Sequence, residues 1–443
     1  MTIVHVCGWY FPDSLGGTET YVAALAARQR AAGHHVAIAA PDPGAHAERA
    51  YAFQEMPVYR YPIPASPTRA EAQHRAAARG AEHFHRWIEA KRPDVVHFHT
   101  FVTGVGPHEI RAARATGARI VATTHSGALG FLCQRGTMLR WGRGLCDGHV
   151  TPAKCAACEL QHRGVPRPAA DVLAWIPTPV AQLAGRIPGR AGSLLGMPGV
   201  IAHNMALQRE MLAQVDAFVV LTDWAQRVVA GNDGNGAPVV LNRLGVRGTE
   251  GDVAALRHAA RARTRRHLTI AYLGRFDRIK GVHDLARAVR ALPAEAPVHV
   301  EFRGPVSNLR ELAVANELKE IVGPDAWVKF APPVDPSHVF EYLQQVDLLC
   351  CPSKTVEGGP TVALEAMAVG TPVLATRLGA LAELITDGVN GRLVAPGDWR
   401  ALSRAIAAIA ADPTGTLDVW SRSLPAVRTM DDVAREYLEL YAR

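Results

Sequence analysis

The sequence predicts an α/β protein with two doubly wound parallel sheets. Apolar runs typical of buried parallel strands alternate with stretches of helical spacing, and this alternation occurs in both halves of the chain. It is interrupted between about 130 and 205, and a polar, arginine-rich segment at about 249–267 is typical of a linker. The length of 443 residues also exceeds one ordinary hydrophobic core. We therefore expect two Rossmann-like domains facing a deep interdomain cleft, because such sheets bind ligands beyond the carboxyl ends of their strands.

The elements follow in a regular order. A strand from residue 2, a loop with two glycines and a helix ending near Gly33 open the chain. A second strand starts at His34, a helical stretch lies near 70–91, and further strands are predicted at 94–100 and 119–126. The pattern resumes after the interruption at 217–246. The second half contributes five more strand patterns, LTIAYLGRF, VHVEFRG, VKFAPPV, VDLLCCPS and TPVLATR.

Composition and charge exclude several classes of protein. Hydrophobic residues make up 48% and charged residues 20%, which is a globular composition. The net charge is +7, but the arginines are scattered, so a solvated surface is favoured over a dedicated anion-binding face. No nucleic-acid-binding signature is present. The start of the sequence lacks the pattern of a signal peptide, and no apolar run reaches about 18 residues. We expect a cytoplasmic protein.

The strongest functional signal runs from Glu357 to Glu365, between an apolar strand and a helix. Pro360 suits the first turn of that helix, because its φ is fixed and its missing N–H is not needed there. Gly358 and Gly359 permit a close backbone approach. The free N–H groups of the first turn and the helix dipole form an anion site, with one carboxylate on each side of it. We favour a ligand-binding role over a turn cap and a helix surface residue.

A second signal lies between Gly274 and Gly281, directly after a predicted strand. Arg275 offers a bidentate guanidinium and Lys280 a compact charge, and both suit a diphosphate. The alternative is a solvated basic loop. Because the segment follows the carboxyl end of a strand, where this fold binds its ligand, we favour the functional interpretation.

Two weaker signals occur in the first half. Gly16 and Gly17 lie at the first strand–helix junction, where the backbone can approach a phosphate or sugar, although for a glycine pair alone an ordinary turn is the favoured interpretation. His125 ends a strand, where its imidazole could donate to a sugar hydroxyl or a leaving phosphate, or be purely structural. His97 and His99 share one strand face and are interpreted as packing residues rather than metal ligands.

These motifs resemble those of family-4 glycosyltransferases, which have the GT-B fold. The resemblance covers nearly the whole chain, from GGTE through DVVHFHT and TTHS to GRFDRIKG, EGGPTVALEA, GTPVLAT and DGVNGRLV. Its most specific part is the pair of glutamates combined with the arginine and lysine of GRFDRIKG. The resemblance implies an N-terminal acceptor domain over 1–250, containing the interruption at about 130–205, and a donor domain over 265–427. It also implies that a helix within 428–443 crosses back to the first domain.

The resemblance implies a role for each matching residue. Glu357 would contact hydroxyls of the donor sugar, and Glu365 would hold the ribose hydroxyls. Arg275 and Lys280 would neutralise the leaving diphosphate, and His125 would lie beside the donor sugar. The other donor-binding positions would be Gly16, Gly17, Gly304, Val334, Gly358, Gly359, Pro360 and Thr361.

The implied reaction is transfer of a hexosyl group, with retention, from a UDP- or GDP-sugar to a hydroxyl of a small-molecule, glycan or lipid-linked acceptor. No catalytic metal is expected, because basic side chains and a helix N-terminus can stabilise the leaving phosphates. No candidate nucleophile is evident, which favours front-face attack by the acceptor. The alternatives are a GT-B-fold nucleotide-sugar epimerase, a sugar phosphorylase, or a non-catalytic sugar-nucleotide-binding protein.

A cysteine cluster lies in the interruption, formed by Cys133, Cys146, Cys155 and Cys158. In a cytosolic protein, clustered cysteines favour a metal over disulfides, and four thiolates suit a structural zinc ion. The spacing contains a single CxxC, so four free thiols are the competing interpretation. Alternative ligands are His149 and His162, whereas the remaining cysteines are expected to be packing residues: Cys7, Cys350 and Cys351.

The segment 170–200 carries Trp175, Arg186, Arg190 and several leucines and isoleucines. It could form an amphipathic surface for a lipid-linked acceptor or for peripheral contact with the inner membrane. Its prolines weaken a helical interpretation, and an ordinary lid or core segment is slightly favoured. The last predicted helix places four apolar side chains on one face, Val433, Tyr437, Leu438 and Tyr441.

Overall fold

The computed structural model describes most of the chain. The described residues are 1–14, 16–125, 133–232, 236–248, 251, 255, 267–293, 295–324 and 327–443. The chain divides into two compact units. Unit 1 comprises Met1–Trp141, Cys146–Arg243 and Asp431–Arg443, and unit 2 comprises Gly142–Leu145 and Leu244–Met430. The predicted linker at 249–267 lies almost entirely outside the described residues.

Eight of the first ten strands form the main sheet of unit 1, and the other two pair with each other. The ten strands are β1 Thr2–Val6, β2 His35–Pro43, β3 Arg49–Phe53, β4 Met56–Ile63, β5 Val95–Phe98, β6 Arg119–Thr123, β7 Leu139–Arg140, β8 Gly144–Leu145, β9 Ala217–Val220 and β10 Val239–Leu241. The main sheet has the order β10-β9-β6-β5-β1-β2-β4-β3, and every pairing in it is parallel except that of β3 with β4. The central strands β1 and β5 are almost completely buried, as expected for a parallel sheet covered on both faces.

Ten helices accompany these strands in the described sequence. They are α1 Gly17–Ala31, α2 Arg69–Ala72, α3 Ala81–Lys91, α4 Pro107–Ala115, α5 Pro152–His162, α6 Arg167–Ala174, α7 Thr178–Ala184, α8 Gly189–Leu195, α9 Met197–Leu212 and α10 Asp223–Asn232. The predicted interruption is therefore mainly helical, because α5 to α9 occupy it. Proline occupies the first turn of several of these short helices, where no intrahelical N–H bond is lost.

The antiparallel pair β3–β4 was not expected from the sequence. β3 is mostly exposed, so it lacks the apolar pattern of a buried strand. β4 contains Pro57 and a buried arginine, Arg60, both of which oppose a strand assignment. The guanidinium of Arg60 is satisfied by the carbonyl of Pro41 at 2.9 Å and by the carboxylate of Asp13 at 2.8 Å. Tertiary contacts thus compensate for the unfavourable residue.

The main sheet of unit 2 has six described strands, all parallel. They are β11 Leu268–Leu273, β12 Val298–Arg303, β13 Val328–Ala331, β14 Leu348–Cys351, β15 Val373–Thr376 and β16 Gly391–Val394. The described helices that follow α10 are α11 Val282–Arg290, α12 Leu309–Val322, α13 Val339–Gln345, α14 Thr361–Ala368, α15 Gly379–Leu384, α16 Trp399–Ala411, α17 Pro413–Arg422 and α18 Met430–Ala442. Ile270 and Ala271 are neighbours in β11, so their side chains point to opposite faces of the sheet. Each belongs to a separate apolar cluster.

The strand order of unit 2 fixes where a ligand can bind. The sheet runs β13-β12-β11-β14-β15-β16. The chain leaves β11 toward β12 and β13 on one side and later adds β14 to β16 on the other. The loops after β11 and β14 therefore diverge at their carboxyl ends, which creates the crevice typical of a topological switch point.

The last helix, α18, lies almost entirely in unit 1. Val433 and Tyr437 are fully buried and Tyr441 nearly so, but Leu438 is only half-buried, unlike the predicted face. The hydroxyl of Tyr437 lies 2.8 Å from that of Thr123, just behind the end of β6. In the described sequence, none of the helices combines the length and apolarity that a membrane span requires.

A glycine that closes the loop after β11 provides a stability test. Gly281 has φ +73°, and a Cβ there would lie 1.7 Å from the carbonyl oxygen of Pro352. Gly397 has a similar φ, +78°, but a Cβ there would meet nothing within 4 Å. Gly397→Ala should therefore lower the free energy of unfolding by about 1 kcal/mol, the conformational cost alone. Gly281→Ala should lower it by roughly a further 1–3 kcal/mol, because the backbone must move. Urea unfolding of both variants would measure the difference, and equal losses would contradict this packing argument.

Candidate functional site

The first part of the site is the loop between β11 and α11. Gly274 follows β11, and its N–H donates to the carbonyl of Arg303 at 3.0 Å. The hydroxyl of Tyr272 donates to the carbonyl of Arg275 at 2.7 Å, which fixes the turn. Asp277 then caps a 3₁₀ turn over Arg278–Lys280. The guanidinium of Arg275 is exposed and forms no hydrogen bond or ion pair within the described residues. It is therefore free to bind an anion.

Lys280 and Glu357 are joined in the structure. The ammonium Nζ of Lys280 lies 2.7 Å from Oε2 of Glu357, and both side chains are partly buried. Lys280 belongs to the loop after β11 and Glu357 to the loop after β14, so the ion pair crosses the switch point of the sheet. Two residues that are 77 positions apart in sequence thus form one charged pair where the fold binds ligands.

The segment after Glu357 leads into α14. Gly358 and Gly359 form the loop, and α14 begins at Thr361, so Pro360 is the N-cap residue rather than the first residue of the helix. The side chain of Pro360 offers no capping acceptor, and Thr361 is exposed. The first N–H groups of the helix therefore remain available to an anionic ligand.

Glu365 lies inside α14 and is almost completely buried. Its Oε1 is 3.2 Å from a guanidinium nitrogen of Arg247, a partner that the sequence interpretation did not identify. Burial raises the pKa of the Glu365 carboxyl, and the charge of Arg247 opposes that shift. A buried carboxylate retained next to a cation, in a helix that starts at the switch point, is typical of a binding residue. No sequence pattern links Arg247 to Glu365, because the two residues lie 118 positions apart.

The remaining predicted residues of unit 2 follow the neighbouring strands. Gly304 comes directly after β12, and a Cβ there would lie 2.2 Å from the carbonyl of Gly274, so the loops after β11 and β12 are in close contact. Val334 follows β13 and is half-buried. The predicted residues of unit 2 are therefore at or just beyond the carboxyl ends of four adjacent strands, β13, β12, β11 and β14.

The two predicted glycines of unit 1, Gly16 and Gly17, differ in the space available beside their backbone. Gly16 is the N-cap of α1, and the carboxylate of Glu19 occupies the space beside it, since a Cβ on Gly16 would lie 2.3 Å from Glu19 Oε2. Gly17 is exposed, and a Cβ on it would meet nothing within 4 Å. Only Gly17 therefore offers an open backbone surface at this helix start.

His125 belongs to a chain of histidines behind the ends of β1, β5 and β6. Its Nε2 lies 3.1 Å from Nδ1 of His99, whose Nε2 lies 2.9 Å from Nδ1 of His5. Nε2 of His5 is 2.7 Å from Oε1 of Gln29. Burial lowers the pKa of His5 to about 4 and that of His125 to about 3, and it places the pKa of His99 well below its usual range. All three imidazoles are therefore neutral near pH 7.

The orientation of the Gln29 amide determines every proton position in this chain. Its carbonyl oxygen can only accept, so His5 carries its proton on Nε2 and accepts through Nδ1. His99 must then donate through Nε2 and accept through Nδ1, and His125 must donate through Nε2. Nδ1 of His125, for which the described residues offer no partner, is consequently a hydrogen-bond acceptor. This differs from the sequence interpretation, in which His125 donates to a ligand.

The histidine cluster does not resemble a metal site. In the described part of the chain, His5, His97 and His99 form a group whose ligand atoms lie within 4.8 Å of one another. Both ring nitrogens of His97 form hydrogen bonds. Nδ1 lies 2.5 Å from the hydroxyl of Tyr441, and Nε2 lies 2.7 Å from that of Thr123. The lone pairs and protons of His97 are thus used within the network, and the packing or cleft-wall role of His97 and His99 stays a prediction.

The structure places all four predicted metal-binding cysteines around one small cavity of unit 1: Cys133, Cys146, Cys155 and Cys158. The other three cysteines are buried, two of them in β14 and Cys7 directly after β1. No disulfide links the described cysteines.

Solved structures with the same architecture define the class of this protein. Sucrose-phosphate synthase from Thermosynechococcus elongatus aligns with a TM-score of 0.66 at 18% identity, covering 100% of this chain and 98% of that one. HepE of Anabaena, solved in complex with UDP and glucose, aligns with a TM-score of 0.62 at 15% identity, covering 100% and 99%. Two Rossmann-like units with this topology constitute the GT-B fold.

Sequence families identify the chain more closely. The family described as Glycosyltransferase Family 4 matches residues 15–180, and Glycosyl transferases group 1 matches residues 258–423. The chain belongs to the family-4 glycosyltransferases.

Curated relatives match part of the chain. The D-inositol 3-phosphate glycosyltransferases of Corynebacterium urealyticum and Kribbella flavida are 31% and 33% identical over 179 and 180 residues, which is 39% of this chain and 42% of each relative. The enzyme of the same name from Streptomyces coelicolor is 28% identical over 65% of this chain and 60% of its own length. The matched part thus spans about half the length of these relatives.

The proton positions deduced for the histidine chain can be measured. Nitrogen-15 NMR of histidine-labelled protein at pH 7 should show His5, His99 and His125 as neutral Nε2–H tautomers. Spectra of His125→Asn would assign the His125 signals. Because burial lowers the pKa of His125 to about 3, its signals should not change between pH 8 and pH 5. A proton on Nδ1 of His125, or an imidazolium at pH 6, would contradict the assignment.

Proposed function

We propose that the protein is a retaining glycosyltransferase that moves a hexosyl group from a nucleoside diphosphate sugar to an acceptor hydroxyl. The observation that carries this proposal is the Lys280–Glu357 ion pair across the switch point of the unit 2 sheet. Membership of the family-4 glycosyltransferases supports sugar transfer as the reaction.

The basic groups beyond β11 suit the diphosphate of the donor. Arg275 is exposed and Lys280 is balanced only by Glu357 in the described residues. A diphosphate at this edge would attract the Lys280 ammonium away from the carboxylate, because it carries more negative charge. The start of α14 adds N–H donors and the positive end of a helix dipole. These groups stabilise the leaving phosphates, so the proposal includes no catalytic metal ion.

The two glutamates suit the two hydroxyl-bearing parts of the donor. When phosphate binding draws Lys280 away, the Glu357 carboxylate becomes free to accept from hydroxyls of the sugar. Sugar recognition would then depend on phosphate binding. Glu365, held by Arg247, is assigned to the ribose hydroxyls. Gly304 and Val334, beyond β12 and β13, are assigned to the nucleotide base.

The proposed chemistry is front-face displacement. The acceptor oxygen bonds to the anomeric carbon on the same face as the departing phosphate oxygen. The nucleoside diphosphate leaves with the bonding electron pair, and its oxygen takes the proton of the acceptor hydroxyl. In unit 1 we assign to His125 an accepting contact with a sugar hydroxyl through Nδ1, and to Gly17 a backbone contact with the donor.

The comparisons favour a particular donor and class of acceptor. HepE was solved with UDP and glucose, which supports a UDP-sugar over a GDP-sugar. The names of the curated relatives specify D-inositol 3-phosphate as acceptor, which supports a small polyol or its phosphate. Thermal-shift measurements with UDP-glucose, UDP-N-acetylglucosamine and GDP-mannose would test the donor, since a bound ligand raises the unfolding temperature. A shift with GDP-mannose alone would reject the UDP-sugar proposal.

Replacing one carboxylate tests the reaction. Glu357→Gln should lower turnover of the preferred donor about 10²-fold or more, because a neutral amide neither pairs with Lys280 nor accepts as strongly from the sugar hydroxyls. Glu320→Gln removes the same charge from an exposed position on α12 and should leave turnover unchanged. Unchanged turnover in Glu357→Gln would remove this residue from the mechanism. Interconversion of donor sugars without acceptor would instead indicate an epimerase, and binding without turnover a non-catalytic protein.

A further inference from the structure

Four cysteines of the predicted cluster meet at one place in unit 1. All four line a cavity of about 30 Å³ between α5 and the segment that precedes it. A volume of this size holds about one water molecule or one ion. The four residues are Cys133, Cys146, Cys155 and Cys158.

The local structure presents these thiols to the cavity. Thr151 caps α5, and Cys155 and Cys158 lie three positions apart on that helix, so they share a face. Cys146 is held by a hydrogen bond from its N–H to the carbonyl of Met138 at 2.9 Å. The N–H of Trp141 donates to the sulfur of Cys158 at 3.3 Å. This contact holds the Cys158 side chain against the segment that precedes α5.

All four cysteines line the same cavity, but no three of the described cysteine sulfurs lie within 4.8 Å of one another. Zinc–sulfur bonds are about 2.3 Å long, so a bound zinc ion would draw the four sulfurs together.

We infer that this cavity binds one structural zinc ion through the four cysteines. Four soft ligands without an open position match tetrahedral zinc. Of the two alternative ligands predicted from the sequence, His149 also lines the cavity, whereas exposed His162 does not. The ion would join α5 to the chain that leaves His125, and thereby compensate for the small apolar core of this segment. The inference is independent of the proposed reaction.

Metal analysis tests the site. Protein purified without chelators and incubated with zinc under reducing conditions should retain one zinc ion per chain after desalting. The double variant C155S/C158S should lose it, whereas Cys350→Ala, a buried cysteine of unit 2, should retain it. Cobalt substitution of the wild-type protein should give intense sulfur-to-cobalt absorption. If C155S/C158S fails to fold, chelation of the wild-type protein replaces it: the four thiols should become reactive only after the metal is removed. Zinc content well below one equivalent, or zinc retained by C155S/C158S, would overturn the inference.

A separate observation concerns α6 to α8. Five large apolar side chains between 172 and 187 are exposed: Val172 by 73%, Trp175 by 79%, Val180 by 54%, Leu183 by 62% and Ile187 by 47%. The sequence interpretation slightly favoured a lid or core segment, but these side chains are not packed into a core. Such a density of exposed apolar groups marks an interaction surface.

The charges around this surface indicate its partner. Arg167, Arg186 and Arg190 are exposed in the same segment, whereas Asp171 is the single acidic residue between 163 and 195. An exposed tryptophan with aliphatic neighbours and arginines is the composition that binds at the interface of an anionic bilayer. The geometry points to docking of this surface on anionic phospholipid, with the short helices lying on the membrane.

Vesicle flotation tests this docking. The protein should float with vesicles that contain phosphatidylglycerol and much less with pure phosphatidylcholine, and added salt should weaken binding. W175S/L183S should reduce flotation several-fold, whereas Leu309→Ser, which removes an 85% exposed leucine from unit 2, should not. Equal flotation of W175S/L183S and wild type would overturn the inference. So would a concentration-dependent dimer that W175S/L183S abolishes, since the surface would then bind a second copy.

Discussion

Parallel pairing in the unit 2 sheet is the constraint on which the donor site depends. All six strands run in the same direction, so every loop that follows a strand emerges at one edge. The loops after β11 and β14 emerge next to each other because β11 and β14 pair directly. This pairing brings Lys280 within 2.7 Å of Glu357. An antiparallel neighbour would place one of these loops at the opposite edge, and neither the ion pair nor the anion-binding helix start would exist.

Close backbone contacts then hold these loops in position. Gly304 contacts the carbonyl of Gly274, and Gly281 contacts the carbonyl of Pro352. A Cβ at either position would overlap the facing carbonyl oxygen, so a larger residue would push the loops apart. The charged residues therefore depend on uncharged neighbours for their positions, and the ion pair of Lys280 and Glu357 is part of the folded chain itself. Such preorganisation is the main source of electrostatic stabilisation in enzymes.

Unit 1 is organised by a buried polar network. Gln29 bonds to His5, and Tyr441 of the last helix lies 2.5 Å from His97. The network joins α1, the central strands and α18, so that the C-terminal residues contribute to the environment of His125. Buried polar groups are costly unless each one is paired, and here each histidine nitrogen apart from Nδ1 of His125 has a partner in the described residues. A single amide orientation thus determines which way the final imidazole presents its lone pair.

Much of this protein follows from local sequence patterns. Apolar runs, glycine-bounded loops and helical spacing predicted two doubly wound sheets, because these patterns reflect burial and backbone sterics at each position. The same reasoning placed Arg275, Lys280, Glu357 and Glu365 near strand ends. It failed for β3 and β4, where a buried arginine and prolines are compensated by distant contacts. It also assigned the proline before α14 to the helix itself, an error of one position that local propensity cannot resolve.

Only the tertiary structure decided which groups meet. The partnership of Arg247 with Glu365 and the proton positions of the histidine chain join residues far apart in sequence. The common cavity of the four cysteines depends on how the chain folds between them. The exposure of Trp175 could not be predicted either, because an apolar residue has the same sequence signature in a core and on a docking surface. Sequence specifies the chemical groups and the local backbone. Distances, burial and hydrogen-bond direction arise only when the chain packs, because each depends on all neighbours at once.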